Sequence, residues 1–173
     1  MYPYFRAIRW MVSSSFKEKL DDPFESTNIH SRVWFADIDV YPELNNGRHL
    51  SLMDLGRYNH GNRMGLFSIL RKNKWGLMVA GNFTRYRRRL KLFQKFTLET
   101  EIVGYDERWF YFYQKTKVKG IIHSSALIRT AITSKEGLIP SAKLVKEMGI
   151  DFKPSIPSWV TKWIELHEVS PAL

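Results

Sequence analysis

Between Phe96 and Ser134 the chain runs through three strand-length segments separated by two tight turns, a pattern that few folds accept. In the first, Phe96, Leu98, Thr100 and Ile102 face one way and Thr97, Glu99, Glu101 and Val103 the other, the period of two of a sheet with one buried face. Asp106-Glu107-Arg108 turns the chain, and Trp109 to Val118 runs back with aromatics on both faces. Lys119-Gly120 turns it again, and Ile121 to Ser134 completes an antiparallel meander with Ile122, Ala126, Ile128 and Ile132 on one side. The apolar face of such a sheet needs a cover, and the candidate lies upstream. From Asn46, the residues Leu50, Met53, Arg57, His60, Met64 and Phe67 fall three and four apart, which predicts a helix ending near Gly61 and a second short helical piece over Met64–Lys72. Trp75 to Tyr86 reads as a further strand, with Leu77, Val79 and Phe83 on one face. Ser31 to Val40 alternates as a first strand. The order is strand, long helix and four antiparallel strands, an α+β plan in which the sheet wraps its buried face around the helix.

Flanking elements complete the outline. Met1 to Leu20 reads as a helix of mixed face, with Tyr4, Phe5, Ile8, Met11 and Val12 apolar and Arg6, Arg9, Lys17 and Lys19 basic. It suits a helix lying on the domain, or an amphipathic contact with an anionic membrane surface. Ser141–Met148 and Ser158–His167 read as closing helices around a Pro154–Pro157 segment. With 173 residues, one domain is expected: helix and connector over 1–27, core over 31–134, closing helices over 141–173. The absence of cysteine excludes disulfides, thiolate metal sites and a cysteine nucleophile. No run is long and apolar enough to span a bilayer, and no secretory signal pattern is present, so a cytoplasmic protein, peripheral to a membrane at most, is expected. A formal charge of +10 favours an anionic partner: a nucleic acid, an acidic membrane surface or a phosphate-bearing ligand such as coenzyme A.

The chemistry concentrates where the strand pattern gives way to the helix. Asp39 and Glu43 lie in a polar hinge that ends in Asn45-Asn46, and asparagine is a good N-cap. A helix start offers free N–H groups and partial positive charge. A carboxylate facing it can act as base or nucleophile on a carbonyl whose oxyanion the amides hold. On strand geometry Asp37 shares a side with Asp39, and it reads as a solvated edge residue or a cap-type acceptor. Farther on, Arg85-Tyr86-Arg87-Arg88-Arg89 and Lys91 form a basic run. As a strand it would put Arg85, Arg87 and Arg89 on one side to grip phosphates, with Lys72 and Lys74 extending the patch, or it is a solvated edge that discourages aggregation. His49, His60 and His123 have no metal-ligand spacing, and no metal site is expected. No nucleic-acid motif accompanies the aromatics at 105–113, so charge-driven nucleic-acid binding is the weakest reading.

Asp37-Ile38-Asp39-Val40-Tyr41-Pro42-Glu43-Leu44-Asn45-Asn46-Gly47-Arg48-His49-Leu50 resembles the Asp-Leu-Asp-x-x-x-His-Met-Asn-Asn-x-x-Tyr-Leu signature of hotdog-fold acyl-CoA thioesterases of the 4-hydroxybenzoyl-CoA type. Tyr86-Arg87-Arg88-Arg89-Leu90 followed by Phe96 is similar to that family's basic-Leu entry into its third strand, and Gly104 to Tyr111 and Trp159 to Glu168 are similar to the branch called thioesterase superfamily member six. The resemblance runs from about Val33 to the C-terminus. It implies a hotdog fold, a five-stranded antiparallel sheet around a central helix, and protomers paired as a homodimer or a dimer of dimers with sites formed between them. It also implies hydrolysis of an acyl-CoA with no cofactor beyond the coenzyme A of the substrate. Asp39 takes the place of the catalytic aspartate, the Asn46 amide polarises the thioester carbonyl, and Asn45 or Asn46 orients the water. Arg85, Arg87, Arg88 and Arg89 hold the nucleotide. Glu43 stands where the signature has histidine, either sharing a proton with Asp39 or pointing outward. That departure leaves a non-catalytic hotdog protein, binding acyl-CoA, a lipid-like acid or a partner protein, as the alternative.

Overall fold

The computed structural model of the chain describes residues 3–150 and 154–169. The ends of the expected outline at Met1–Tyr2 and 170–173 lie outside the described residues. In order the elements are α1 (Tyr4–Ser15), β1 (Thr27–Arg32), α2 (Asn46–Arg63), α3 (Leu66–Asn73), β2 (Gly76–Tyr86), β3 (Lys95–Tyr105), β4 (Phe110–Val118), β5 (Ile121–Ser134), β6 (Gly137–Ile139), α4 (Ser141–Glu147) and α5 (Ser158–Val169). All strand pairs are antiparallel, in the order β1-β3-β4-β5-β2, and β6 folds back onto the end of β5. The described sheet therefore has six strands. The sixth is a three-residue addition too short to carry a period of its own.

The alternation in β3 holds. Phe96, Leu98, Thr100 and Ile102 are buried, and with Phe112, Ala126, Ile128 and Ile132 they pack on Leu52, Met53 and Leu55 of α2. Helix and sheet approach closely at Gly56, where a Cβ would lie 2.7–2.8 Å from Gln114 Nε2, Leu98 Cδ2 and Thr100 Oγ1. Gln114 is itself pinned there, donating to Met53 O at 2.9 Å and Thr100 Oγ1 at 2.8 Å and accepting from Arg57. The buried side of α2 runs through His49, Leu52, Met53, Gly56, Asn59 and His60, rotated from the stripe that apolar spacing predicts. A glycine and three polar side chains complete it, and hydropathy does not count them. On the opposite face of the sheet, Tyr111 and Leu127 pack under Val160 of α5, with Trp163 edge-on to Tyr111.

The first strand departs from expectation. β1 is the polar-looking Thr27–Arg32, paired with β3 through Thr27↔Thr100 to Arg32↔Lys95. The alternating stretch beyond it is not a strand: Phe35–Asp37 makes a single 3-10 turn. The cause is Asp37. Its carboxylate accepts the Trp34 N–H at 2.9 Å and closes the turn, leaving Trp34 and Phe35 outside. Asp37 O then accepts the Asn45 N–H at 2.9 Å, while Leu44 N–H donates to Leu90 O and Leu92 N–H to Pro42 O. These bonds strap the hinge before α2 to the segment leaving β2.

Candidate active site

The two aspartates of the hinge have opposite surroundings. Asp37 is 1% exposed and carries ion pairs to Arg6 at 2.8 Å and Arg48 at 3.5 Å. It is a cap-type acceptor, not a solvated edge residue. Because Asp37 closes a 3-10 turn and belongs to no strand, Asp37 and Asp39 do not share the side of a strand. Asp39 is exposed. Its Oδ1 accepts the Tyr41 N–H at 3.0 Å and its Oδ2 accepts from Asn45 Nδ2 at 3.2 Å. Asn45 is the N-cap of α2, its Oδ1 accepting the Arg48 N–H at 3.1 Å. Its side chain thus ties the Asp39 carboxylate to the helix start. The N–H groups of Asn46 and Gly47 find no acceptor among the described residues, as the first turn of a helix leaves them. A carboxylate and two open amides therefore share one end of α2.

Glu43 turns to the basic side. Its carboxylate pairs with Arg89 Nε at 3.1 Å and its backbone bridges to Lys91, so its charge is met by a guanidinium. The single-sided row of Arg85, Arg87 and Arg89 does not form. The strand ends at Tyr86, and the N–H groups of both Arg87 and Arg88 donate to His123 O, at 2.8 and 3.0 Å. Two successive donors on one carbonyl require a bend that breaks the period of two. Arg87, Arg88 and Arg89 instead line one cavity of about 210 Å³ with Glu43, Asn46 and His49, and Arg85 stays back on the strand. Lys72 does not extend this patch, since it pairs with Glu147 at 3.2 Å. Among the described residues no cluster of histidine, aspartate and glutamate could hold a metal ion.

His49, which spacing arguments pass over, lines this cavity. It is 4% exposed, neither ring nitrogen has a hydrogen-bond partner among the described residues, and its ring meets Tyr86 edge-on with centroids 5.0 Å apart. The signal in the sequence was its place: one turn after the N-cap, in the signature's tyrosine position. His60 is its counterpart in the core. It is fully buried, with Nδ1 3.1 Å from Thr27 Oγ1 and Nε2 3.0 Å from Pro23 O. Burial lowers its pKa to about 4, with the Pro23 carbonyl opposing and Arg63 adding. Unfolded, this histidine takes a proton near 6.5; folded, it stays neutral down to about 4. Its contribution is complete above pH 6.5 and is lost as pH falls toward 4, roughly 3 kcal/mol over the interval. Urea titrations across that range should show His60→Gln with a flatter dependence of stability on pH than the wild type, and equal slopes would count against it.

A second cavity, of about 100 Å³ and largely apolar, lies between α2 and the sheet, with Leu77, Met78 and Val79 of β2 on one side and Ile102, Phe112 and Ile132 on the other.

Residues 33–164 match the family model described as the thioesterase-like superfamily. Over 129 residues the chain is 36% identical to Protein THEM6 of Danio rerio, a match that covers 73% of this chain and 64% of that protein. The chain thus spans less than two thirds of that relative's length. Among solved structures it resembles a probable thioesterase from Bartonella henselae, with a TM-score of 0.60 at 20% identity over 67% of this chain and 97% of the other. It also resembles a gentisyl-coenzyme A thioesterase, with a TM-score of 0.63 at 17% identity over 69% and 99%. Both likenesses show the fold, a hotdog sheet curled around its helix.

Proposed function

The chain belongs to the thioesterase-like superfamily, and from that premise we propose that it hydrolyses an acyl-CoA thioester to the free acid and coenzyme A. The observation that carries the reading is the Asp39 carboxylate held by Asn45 beside the open amides of α2. Asp39 takes a proton from water as the oxygen adds to the thioester carbonyl, or attacks that carbonyl itself. The Asn46 and Gly47 N–H groups receive the oxyanion. Collapse of the tetrahedral species expels the coenzyme A thiolate; where Asp39 itself has attacked, water then hydrolyses the acyl-aspartyl anhydride, releasing the acid and restoring the carboxylate. The exposed guanidiniums of Arg87, Arg88 and Arg89 suit the phosphates of the nucleotide, and the apolar cavity beside β2 suits the acyl group.

In one chain Asp39 is open to solvent, and a base works best where water is excluded. The outer edge of β2 pairs with no described strand, and Leu77, Met78, Val79 and Phe83 are exposed along it. An open apolar edge is a template for pairing, and a homodimer joined there, alone or doubled into a dimer of dimers, is the working form in this reading. The alternative is a non-catalytic protein that binds acyl-CoA or a lipid-like acid. A panel of aliphatic and aromatic acyl-CoAs separates the two: release of free thiol supports the hydrolase, and binding without release overturns it.

A second observation concerns where the protein works. Trp10 and Ser14 of α1 are buried, yet Phe5 and Ile8 are 93 and 61% exposed on its outer side and Phe16, just past its end, is 85% exposed. Arg6, Arg9, Arg32, Lys95, Lys117 and Lys119 line a groove of about 770 Å³ beside it. No helix among the described residues is long and apolar enough to cross a membrane. An apolar helix face flanked by cations suits the surface of an anionic bilayer. In co-sedimentation with phosphatidylserine-containing vesicles, Phe5→Glu with Ile8→Glu should weaken binding at least about tenfold. No difference between variant and wild type would remove α1 from any such contact.

A further inference from the structure

His49 is the buried group that the proposed hydrolysis does not yet use. It sits in the first turn of α2, its backbone N–H donating to Asn45 O at 3.0 Å. Its ring is boxed in by Tyr86, whose hydroxyl donates to Asn46 O at 3.2 Å. A buried polar ring without partners is costly, and its fellow histidine on the same helix, His60, has both nitrogens within hydrogen-bond reach of partners. The Asn45 carbonyl lies near the ring but out of hydrogen-bond geometry, and an imidazole so poorly partnered at the wall of a cavity that also holds the helix start is placed for a ligand.

We propose that His49 is a catalytic residue of this site, donating a hydrogen bond from the first turn of α2 to the carbonyl oxygen of a bound acyl thioester and to the oxyanion formed from it. The inference rests on the thioesterase reading of the same site. Two further facts favour it. The signature's histidine position holds Glu43, which is engaged with Arg89, so that position offers no neutral donor. Burial also lowers the His49 pKa to about 4, only partly offset by the Asn45 carbonyl. At neutral pH the ring is therefore uncharged, with one N–H to give and no proton to lose. A neutral imidazole near a helix N-terminus is suited to polarising a carbonyl, since it donates a hydrogen bond without carrying a charge of its own. Only a hydrogen bond is made. Asp39 still receives the proton of water, and sulfur still leaves with the electron pair of the broken C–S bond.

The test uses thiol release and a titration of the ring. His49→Phe keeps the packing against Tyr86 and removes the donor; His49→Gln keeps a donor. With both folded by circular dichroism, Phe should lower kcat about 10²–10³-fold with KM changed only a few-fold, the range for one lost oxyanion donor. Gln should recover at least about tenfold of that loss. In 15N NMR of the wild type, the His49 ring nitrogens should shift on adding a non-hydrolysable thioether analogue of decanoyl-CoA. Full kcat in His49→Phe, or ring signals that ignore the analogue, would overturn the assignment and leave a water-filled structural cavity. If the wild type releases no thiol from any acyl-CoA, the thioesterase reading itself fails. The His49 contact then stands or falls on the titration alone.

Discussion

Replacing Asp39 with asparagine should lower kcat for thioester hydrolysis by about 10³-fold while leaving the protein folded. General base catalysis contributes roughly 10²–10⁴-fold, and an asparagine side chain can neither accept water's proton nor attack as a carboxylate. The structural cost is small. Asp39 is exposed and its contacts are local, to the Tyr41 N–H and the Asn45 side chain. The amide oxygen of the new side chain can still accept the first, and surface changes of this kind stay within about 0.5 kcal/mol. Thiol release and thermal melting of the two proteins, measured side by side, check both halves. Turnover within a few-fold of wild type would exclude Asp39 as base or nucleophile.

Two residues earlier, the same substitution should do the opposite. Asp37→Asn takes the negative charge from between Arg6 and Arg48 at a site 1% exposed. Removing one member of a buried ion pair typically costs about 3–5 kcal/mol because the partner charge is left uncompensated. Here both guanidiniums keep partial access to solvent, 14% each, so the lower end, about 3 kcal/mol, applies. For a chain of this size that is a fall in Tm of roughly 6–12 °C. Asparagine can still close the turn through the Trp34 N–H, so the folded fraction should keep its thiol-release rate per molecule. An unchanged urea midpoint would mean the two arginines are satisfied without Asp37. The pair of variants separates chemistry from architecture within one Asp-x-Asp motif, since a residue's partners, not its type, decide which it serves.

Much of the frame was legible beforehand because it rests on short-range rules. The β3–β4–β5 meander follows from alternation and two turns, and β5 begins and ends where alternation put it. The start of α2 at Asn46, capped by Asn45, follows from the preference of asparagine for helix starts. The failures share a different origin. Trp34 to Val40 alternates like a strand, but Asp37 accepts the Trp34 N–H and turns the chain. The true first strand is Thr27–Arg32, whose period is hidden because its buried face begins with a threonine, Thr27, whose hydroxyl meets His60 of α2 and the Thr100 carbonyl of the neighbouring strand. The arginine row broke for a similar reason, since His123 O, on the neighbouring strand β5, collects two adjacent amides.

What the sequence by itself determined is the central helix and its cap, the strands from β2 to β5 and their order, and the placing of an acid at the mouth of α2. Each of these depends on residues within a few positions of one another. Only the tertiary structure decided which aspartate is buried, since Arg6 reaches Asp37 across 31 residues. It alone set Glu43 against Arg89, gathered Arg87, Arg88 and Arg89 at one cavity, and closed Tyr86 over an unpaired His49. Burial and partnership are properties of distant segments brought together, and a local period does not encode them.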